Sequence, residues 1–308
     1  MLPMTKGWSR HLTLLDVPTV IITDDPALLT TACAAYADWI SVEPLAAEPG
    51  IELRLERGSS PTRRVSASIR VEGSRLILAG DGIDGEADAA TGRARCTVPD
   101  WLADDAEALS AEIVDTLLLF LLARTGRRTP VHASGVMWNG TALVLAGPSG
   151  SGKSTLALAA AERGLRILSD DTLYVQLEPG FRIWGFPRPI HVFAKDAPPG
   201  QHAVRLRGGK EKSVIDLHRQ GNGEWSATRA KLVVLRRGDR LSLDAITRDE
   251  AIASLSRLDA GFDLLSEASA VAARALADAQ PVALTLETDP RRAIDFLVEQ
   301  LGAAGQIL

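Results

Sequence analysis

The sequence predicts an α/β protein, a P-loop core preceded by a smaller mixed α+β N-terminal domain. Three observations predict it. The stretch Gly147-Pro148-Ser149-Gly150-Ser151-Gly152-Lys153-Ser154 satisfies G-x-x-x-x-G-K-[ST] at every fixed position. The apolar run 141–146 before it reads as a buried strand and the run 155–163 after it as a helix, which is the setting that gives the motif its meaning. The first hundred residues read as strand-rich, whereas the C-terminal third alternates strands with helices.

Composition sets the outer bounds. At 308 residues, 46% hydrophobic and 24% charged, the chain can bury a sizeable core in one large or two moderate domains. A net charge of −5 offers no basic footprint, so nucleic acid is not an expected partner. Cys33 and Cys96 are the only cysteines and neither belongs to a C-x-x-C or Cys/His cluster, which argues against a disulfide scaffold or structural zinc and suits the cytoplasm. Residues 1–10 lack the apolar core of a signal peptide. The longest apolar run, 116–123, is too short to cross a bilayer, so no membrane partner is expected.

Along the chain, 17–23 reads as a strand and 26–39 as a helix, and 51–56, 64–71 and 75–79 alternate as half-exposed strands do. The stretch 79–86 lacks calcium-loop spacing and reads as a flexible acidic turn. A helix over 101–124 closes the first domain, 1–125, with the catalytic domain following at 126–308. Residues 131–138, the Asn139-Gly140 pair and the strand 141–146 form a predicted β-hairpin that carries His132 back along the phosphate-loop strand. On a strand, such a histidine serves either structure or chemistry, and its position alone leaves both open. Gly164 stops the helix after the loop, and the short strand 165–168 delivers Ser169-Asp170-Asp171 at its C-terminal end. Further on, 231–235, 241–245 and 281–286 read as strands. Thr247 to Glu250 is a capping box, 262–279 an amphipathic helix packed on the core, and Asp289-Pro290 the start of the last helix.

The chemistry follows from the residue types. Glycines let successive N–H groups turn onto a polyphosphate at the positive end of a helix. Gly147, Ser149, Gly150, Ser151, Gly152, Lys153, Ser154 and Thr155 form the expected cradle, with Lys153 on the β and γ phosphates and Ser154 on Mg²⁺. Two carboxylates at a strand end divide the work of phosphoryl transfer between proton acceptance and metal holding. Arg205, Arg207, Lys210 and Lys212 around Gly208-Gly209 read as either a solvated basic loop or a hinge that closes over the triphosphate. Arg188, between two prolines, reads as either a fixed functional arginine or a surface charge.

The order His132-Ala133-Ser134-Gly135-Val136, the loop 147–154 and Leu168-Ser169-Asp170-Asp171 resembles the catalytic domain of HPr kinase/phosphorylase. It is similar above all to the divergent serine kinases that occur beside peptide-modifying genes, including lasso peptide precursor kinases. The resembling part spans 131–217. The family's Glu-x-Arg-Gly-x-Gly signature has no counterpart here, and Gly185 to Val192 stands in its place. The resemblance implies that Asp170 is the catalytic base, Asp171 its metal-site neighbour with Ser154, and His132 an active-site residue, while Lys212 matches a lysine of the related kinases. It further implies ATP and Mg²⁺ as cofactors, a serine acceptor on a peptide or small protein, and a homo-oligomer as an allowed assembly. A kinase for a sugar or metabolite, and a non-kinase ATP-binding regulatory protein, are the two other readings that the loop permits.

Overall fold

The computed structural model describes residues 7–40, 49–60, 67–186, 188–194, 197–200, 202–207, 210–215, 225–255, 266–278 and 280–303. The chain divides into two compact units, Met1–Arg128 and Thr129–Leu308. Several sheets and a minority of helices make it a mixed α/β protein. Among the described residues, no helix is long and apolar enough to cross a membrane.

The first unit is built on a seven-stranded sheet of β1 (Trp8–Leu14), β2 (Val17–Thr23), β3 (Ile51–Gly58), β4 (Ser68–Glu72), β5 (Arg75–Gly80), β6 (Ile83–Asp88) and β7 (Arg93–Pro99), in the order β1-β2-β3-β7-β6-β5-β4. β3 pairs in parallel with β2 and β7, and its alternation buries Ile51, Leu53 and Leu55. Asp25 caps α1 (Pro26–Cys33) by accepting from the N–H of Ala27 at 2.8 Å, and a 3₁₀ segment continues to Trp39.

Three expectations change here. The single helix predicted over 101–124 is broken into α2 (Asp100–Ala103), α3 (Ala106–Leu109), a π-helical turn at Ser110–Val114 and α4 (Asp115–Arg124). The break falls where the Asp105 carboxylate accepts from the N–H of Ala108 at 3.0 Å and so starts a new helix. The stretch 79–86 is not a flexible turn. Asp81-Gly82 alone forms the turn, with φ of +53° and +81°, and β6 follows it. β1 and β7 were not expected as strands. The β1–β2 hairpin turns at Leu15-Asp16, both at positive φ, without a glycine to announce it.

Among the described residues, the second unit carries three sheets. Its strands are β8 (Thr129–His132), β9 (Ser134–Trp138), β10 (Thr141–Ala146), β11 (Arg166–Ser169), β12 (Thr172–Gln176), β13 (Arg182–Gly185), β14 (Ile190–Val192), β15 (Ala203–Arg207), β16 (Lys210–Ile215), β17 (Ser226–Ala227), β18 (Ala230–Arg237), β19 (Ser242–Ala245) and β20 (Val282–Leu286). The sheet orders are β11-β9-β10-β18-β20-β19, β17-β13-β12-β8 and β14-β16-β15. The helices are α5 (Lys153–Glu162), α6 (Arg248–Leu255), α7 (Ser266–Ala277) and α8 (Pro290–Ala303).

Every residue of β10 is buried, as a strand covered on both faces requires. Leu143 and Leu145 share a core cluster with Leu156 of α5 and Leu297 of α8. Ala142, Val144 and Ala146 share another with Leu255 of α6 and Leu276 of α7. Each leucine so buried contributes roughly 1.5–3 kcal/mol, and the sum fixes the end of β10 in place.

The apolar run 131–138 is two strands, not one hairpin arm. β9 pairs with β10 through the Asn139-Gly140 turn, but β8 leaves that sheet at Ala133 and pairs with β12. Small residues make the crossing possible: Ala133 is fully buried, and a Cβ on Gly135 would stand 2.6 Å from Leu173 Cδ2. The strand expected at 241–245 pairs with β20, which separates it from β18. The Thr247 cap forms as expected, with its hydroxyl accepting from the N–H of Glu250 at 3.2 Å.

Candidate active site

β10 ends at Ala146, and the glycine loop turns directly into α5. Gly150 and Gly152 have φ of +80° and +110°, values that L side chains rarely adopt. A Cβ on Gly150 would meet nothing within 4 Å, so the loop is open there. The N–H of Ser151 donates to the Pro148 carbonyl at 3.0 Å. Lys153 is buried, and its ammonium donates to the Gly147 carbonyl at 2.9 Å and the Pro148 carbonyl at 3.4 Å. Ser149 is exposed, and Ser154 and Thr155 are half-buried on the first turn of α5.

Asp170 lies just past the end of β11, two strands away from β10. Its side chain is buried, and burial pushes its carboxyl up to about 6. The Ser154 hydroxyl works against that shift, whereas the neighbouring charge of Asp171 adds to it. The Ser134 hydroxyl donates to the carboxylate at 3.3 Å to Oδ1, and the His191 N–H also acts to lower the carboxyl's pKa. Ser134 donates to the Asp170 backbone carbonyl as well.

Asp171 points the other way, as adjacent residues on an extended segment must. Its carboxylate is 56% exposed and sits 3.4 Å from Nδ1 of His132, a ring that is 10% exposed. The pairing of His132 with Thr172 across β8 and β12 puts the two side by side.

The expected site residues are therefore only partly brought together. His132 meets Asp171, and the Ser154 hydroxyl acts on the Asp170 carboxyl to lower its pKa. His132 lies in the β12 sheet, away from the β10 ladder where the predicted hairpin would have put it. Lys212, on β16, holds its ammonium 5.7 Å from the centre of the Phe193 ring, and Arg188 stacks 4.7 Å from the centre of Phe186. The hinge expected at 208–209 lies outside the described residues. Ser134 was missed, and its only sequence signal was a small polar residue between His132 and the loop strand. Among the described residues, no three His, Cys, Asp or Glu side chains group to hold a metal ion.

No family model matches the chain. Among curated proteins it is 29% identical over 173 residues to the HPr kinase/phosphorylase of Ralstonia pickettii (strain 12J), covering 53% of this chain and 52% of that protein. Over 148 residues it is 29% identical to the HPr kinase/phosphorylase of Lactobacillus acidophilus, covering 44% and 42%. This chain is a distant relative of the HPr kinase/phosphorylases. The chain spans about half the length of the curated relatives it matches. Among solved structures, the HPr(Ser) kinase/phosphatase of Coxiella burnetii is 12% identical over 58% of this chain and 99% of that one, with a TM-score of 0.31.

Proposed function

We propose that this protein is a cytoplasmic ATP-dependent kinase of HPr-kinase type that phosphorylates a serine hydroxyl of a peptide or small protein. Residues 126–308 form its catalytic domain. The observation that carries the reading is the buried Asp170 carboxylate, hydrogen-bonded by Ser134 at the end of β11 in the same sheet as the strand that feeds the glycine loop.

The residues fit ATP and Mg²⁺. The loop's open face at Gly150 and the buried hydroxyl of Ser151, which has no hydrogen-bond partner among the described residues, suit a polyphosphate. The Ser154 hydroxyl and the carboxylates at 170 and 171 are hard oxygen donors of the kind Mg²⁺ takes. Bound ATP·Mg²⁺ supplies the transferable phosphoryl group and neutralises its charge. The amides from Gly150 to Ser154 and the Lys153 ammonium hold the phosphates, with Lys153 exchanging the Gly147 and Pro148 carbonyls for phosphate oxygens.

Asp170 accepts the acceptor's hydroxyl proton. A carboxyl held near 6 is ionised at neutral pH yet basic enough for that task. His132 orients Asp171 at the metal side, and Lys212 supplies a further cation for the transferring group. The relatives' name makes HPr the first acceptor to try, and the missing Glu-x-Arg-Gly-x-Gly signature makes a lasso-type precursor peptide the second.

The test is transfer of γ-³²P from ATP to HPr and to serine-containing peptides, for the parent, Lys153→Ala and Asp170→Asn. Label on serine in the parent, reduced a hundredfold or more in both variants, is expected. Slow ATP hydrolysis with no labelled peptide or protein would refute the proposal.

A further inference from the structure

β18 runs parallel to β10, with Ala146 level with Val234, so its last residues rise beside the glycine loop. Between them and α6 is a cavity of about 510 Å³. Ser149, Gly150 and Ser151 form one wall, and Arg236, Arg237 and Glu250 are on the other. The two arginines differ in what they touch. The Arg236 guanidinium donates to the Glu250 carboxylate, whereas Arg237 has no hydrogen-bond or ion-pair partner among the described residues. Instead the Arg237 guanidinium lies on the loop, where a Cβ added to Gly152 would stand 3.1 Å from one of its terminal nitrogens.

An exposed arginine without a partner is usually a solvated surface charge. A second observation separates this one. Ser151, on the same cavity wall, is 5% exposed, and its hydroxyl oxygen has no hydrogen-bond partner among the described residues, in an interior where such groups are nearly always satisfied. A buried hydroxyl and a cation, both without a partner among the described residues, thus share one cavity beside the glycine loop.

Direction then assigns the occupant. Asp170 lies on the β9 and β11 side of β10, and β18 lies on the other. A nucleotide whose reacting end is at Asp170 extends its opposite end over β18, into a cavity of the size small-ligand sites have, roughly 300–1,000 Å³. We infer that Arg237 is a nucleotide-binding residue that reaches the phosphate chain from the neighbouring strand, and that the cavity it lines receives the nucleoside half. The inference rests on the reading of the loop as a nucleotide site and adds to it a residue and a cavity outside the motif.

The test is equilibrium binding of fluorescent ATP and ADP to the full chain, with inorganic tripolyphosphate as competitor. Arg237→Ala is expected to weaken both nucleotides about tenfold to a hundredfold, as loss of a charge-assisted hydrogen bond does. Arg237→Lys should recover part of the loss, and Arg236→Ala should cost less than Arg237→Ala. Ala253→Trp, which fills the cavity from α6, should lower the preference for ATP over tripolyphosphate while tripolyphosphate still binds. If Arg237→Ala binds as the parent does while Lys153→Ala loses binding, the inference is overturned and the nucleotide site stands. Equal losses in Arg236→Ala and Arg237→Ala would also overturn it. A parent that binds neither ATP nor tripolyphosphate removes the nucleotide site, and the inference with it.

Discussion

Asparagine at position 170 keeps the shape of the aspartate and removes its charge, so Asp170→Asn isolates what burying that charge costs. The carboxyl titrates near 6 in the folded protein against an ordinary value of 3.8, because burial outweighs the lowering effects of Ser154, His191 and Ser134. A raised native pKa means that the folded state binds the proton more tightly than the unfolded chain. Stability is therefore fullest below about 4 and is lost as pH rises through about 6. At pH 8 the ionised side chain costs about 3 kcal/mol, and at pH 5 about half of that. Asp170→Asn should thus gain stability over the parent as pH rises from 5 to 8, by roughly 1–2 kcal/mol more at the upper end. Urea unfolding of the full chain at both pH values, with chelator present, reads this difference. The same variant should lose phosphoryl transfer, so stability and activity move in opposite directions. An unchanged difference between variant and parent across that pH range would refute the assignment of a raised carboxyl to this site.

Two further outcomes follow from contacts around the same residue. A Cβ at Gly185 would stand 2.2 Å from the Leu168 carbonyl oxygen and 2.8 Å from its Cα, all backbone, so Gly185→Ala should push β13 off β11 and destabilise the protein by about 3 kcal/mol, read by thermal unfolding. A loss of less than about 0.5 kcal/mol would mean that the strands part without cost. Ser134→Ala removes a buried donor from both the carbonyl and the carboxylate of Asp170 and should cost about 1–3 kcal/mol. Because that donor holds the carboxyl down, its loss should also move the stability transition above pH 6, whereas a purely packing role would leave the midpoint in place.

The parts of this fold that were legible in the sequence are those that depend on neighbours in the chain. The glycine loop has fixed spacing, β10 is a continuous apolar run, and Thr247 and Asp289 cap helices through side chains that reach only two or three residues ahead. Where two local signals compete, the weaker can decide the structure: Asp105 has the chemistry of a cap, yet the apolar periodicity around it predicts one helix. Elsewhere the deciding contact is remote. Ser134 and Asp170 are 36 positions apart, Arg237 reaches Gly152 across two parallel strands, and neither pairing leaves a trace in spacing. The Leu15-Asp16 turn escaped because residues that seldom adopt positive φ do so there, held by the β1–β2 ladder.

The crossing at Ala133 has one more consequence. His132 belongs to one sheet and Ser134 to another, and Asp171 and Asp170 are served by them in that order. One short segment thus holds both carboxylates, each from a different sheet, as a single thread can tension two cloths sewn together at a seam. Any sliding of one sheet along the other would disturb both acid groups at once, so their spacing is kept by the seam itself and not by either sheet alone.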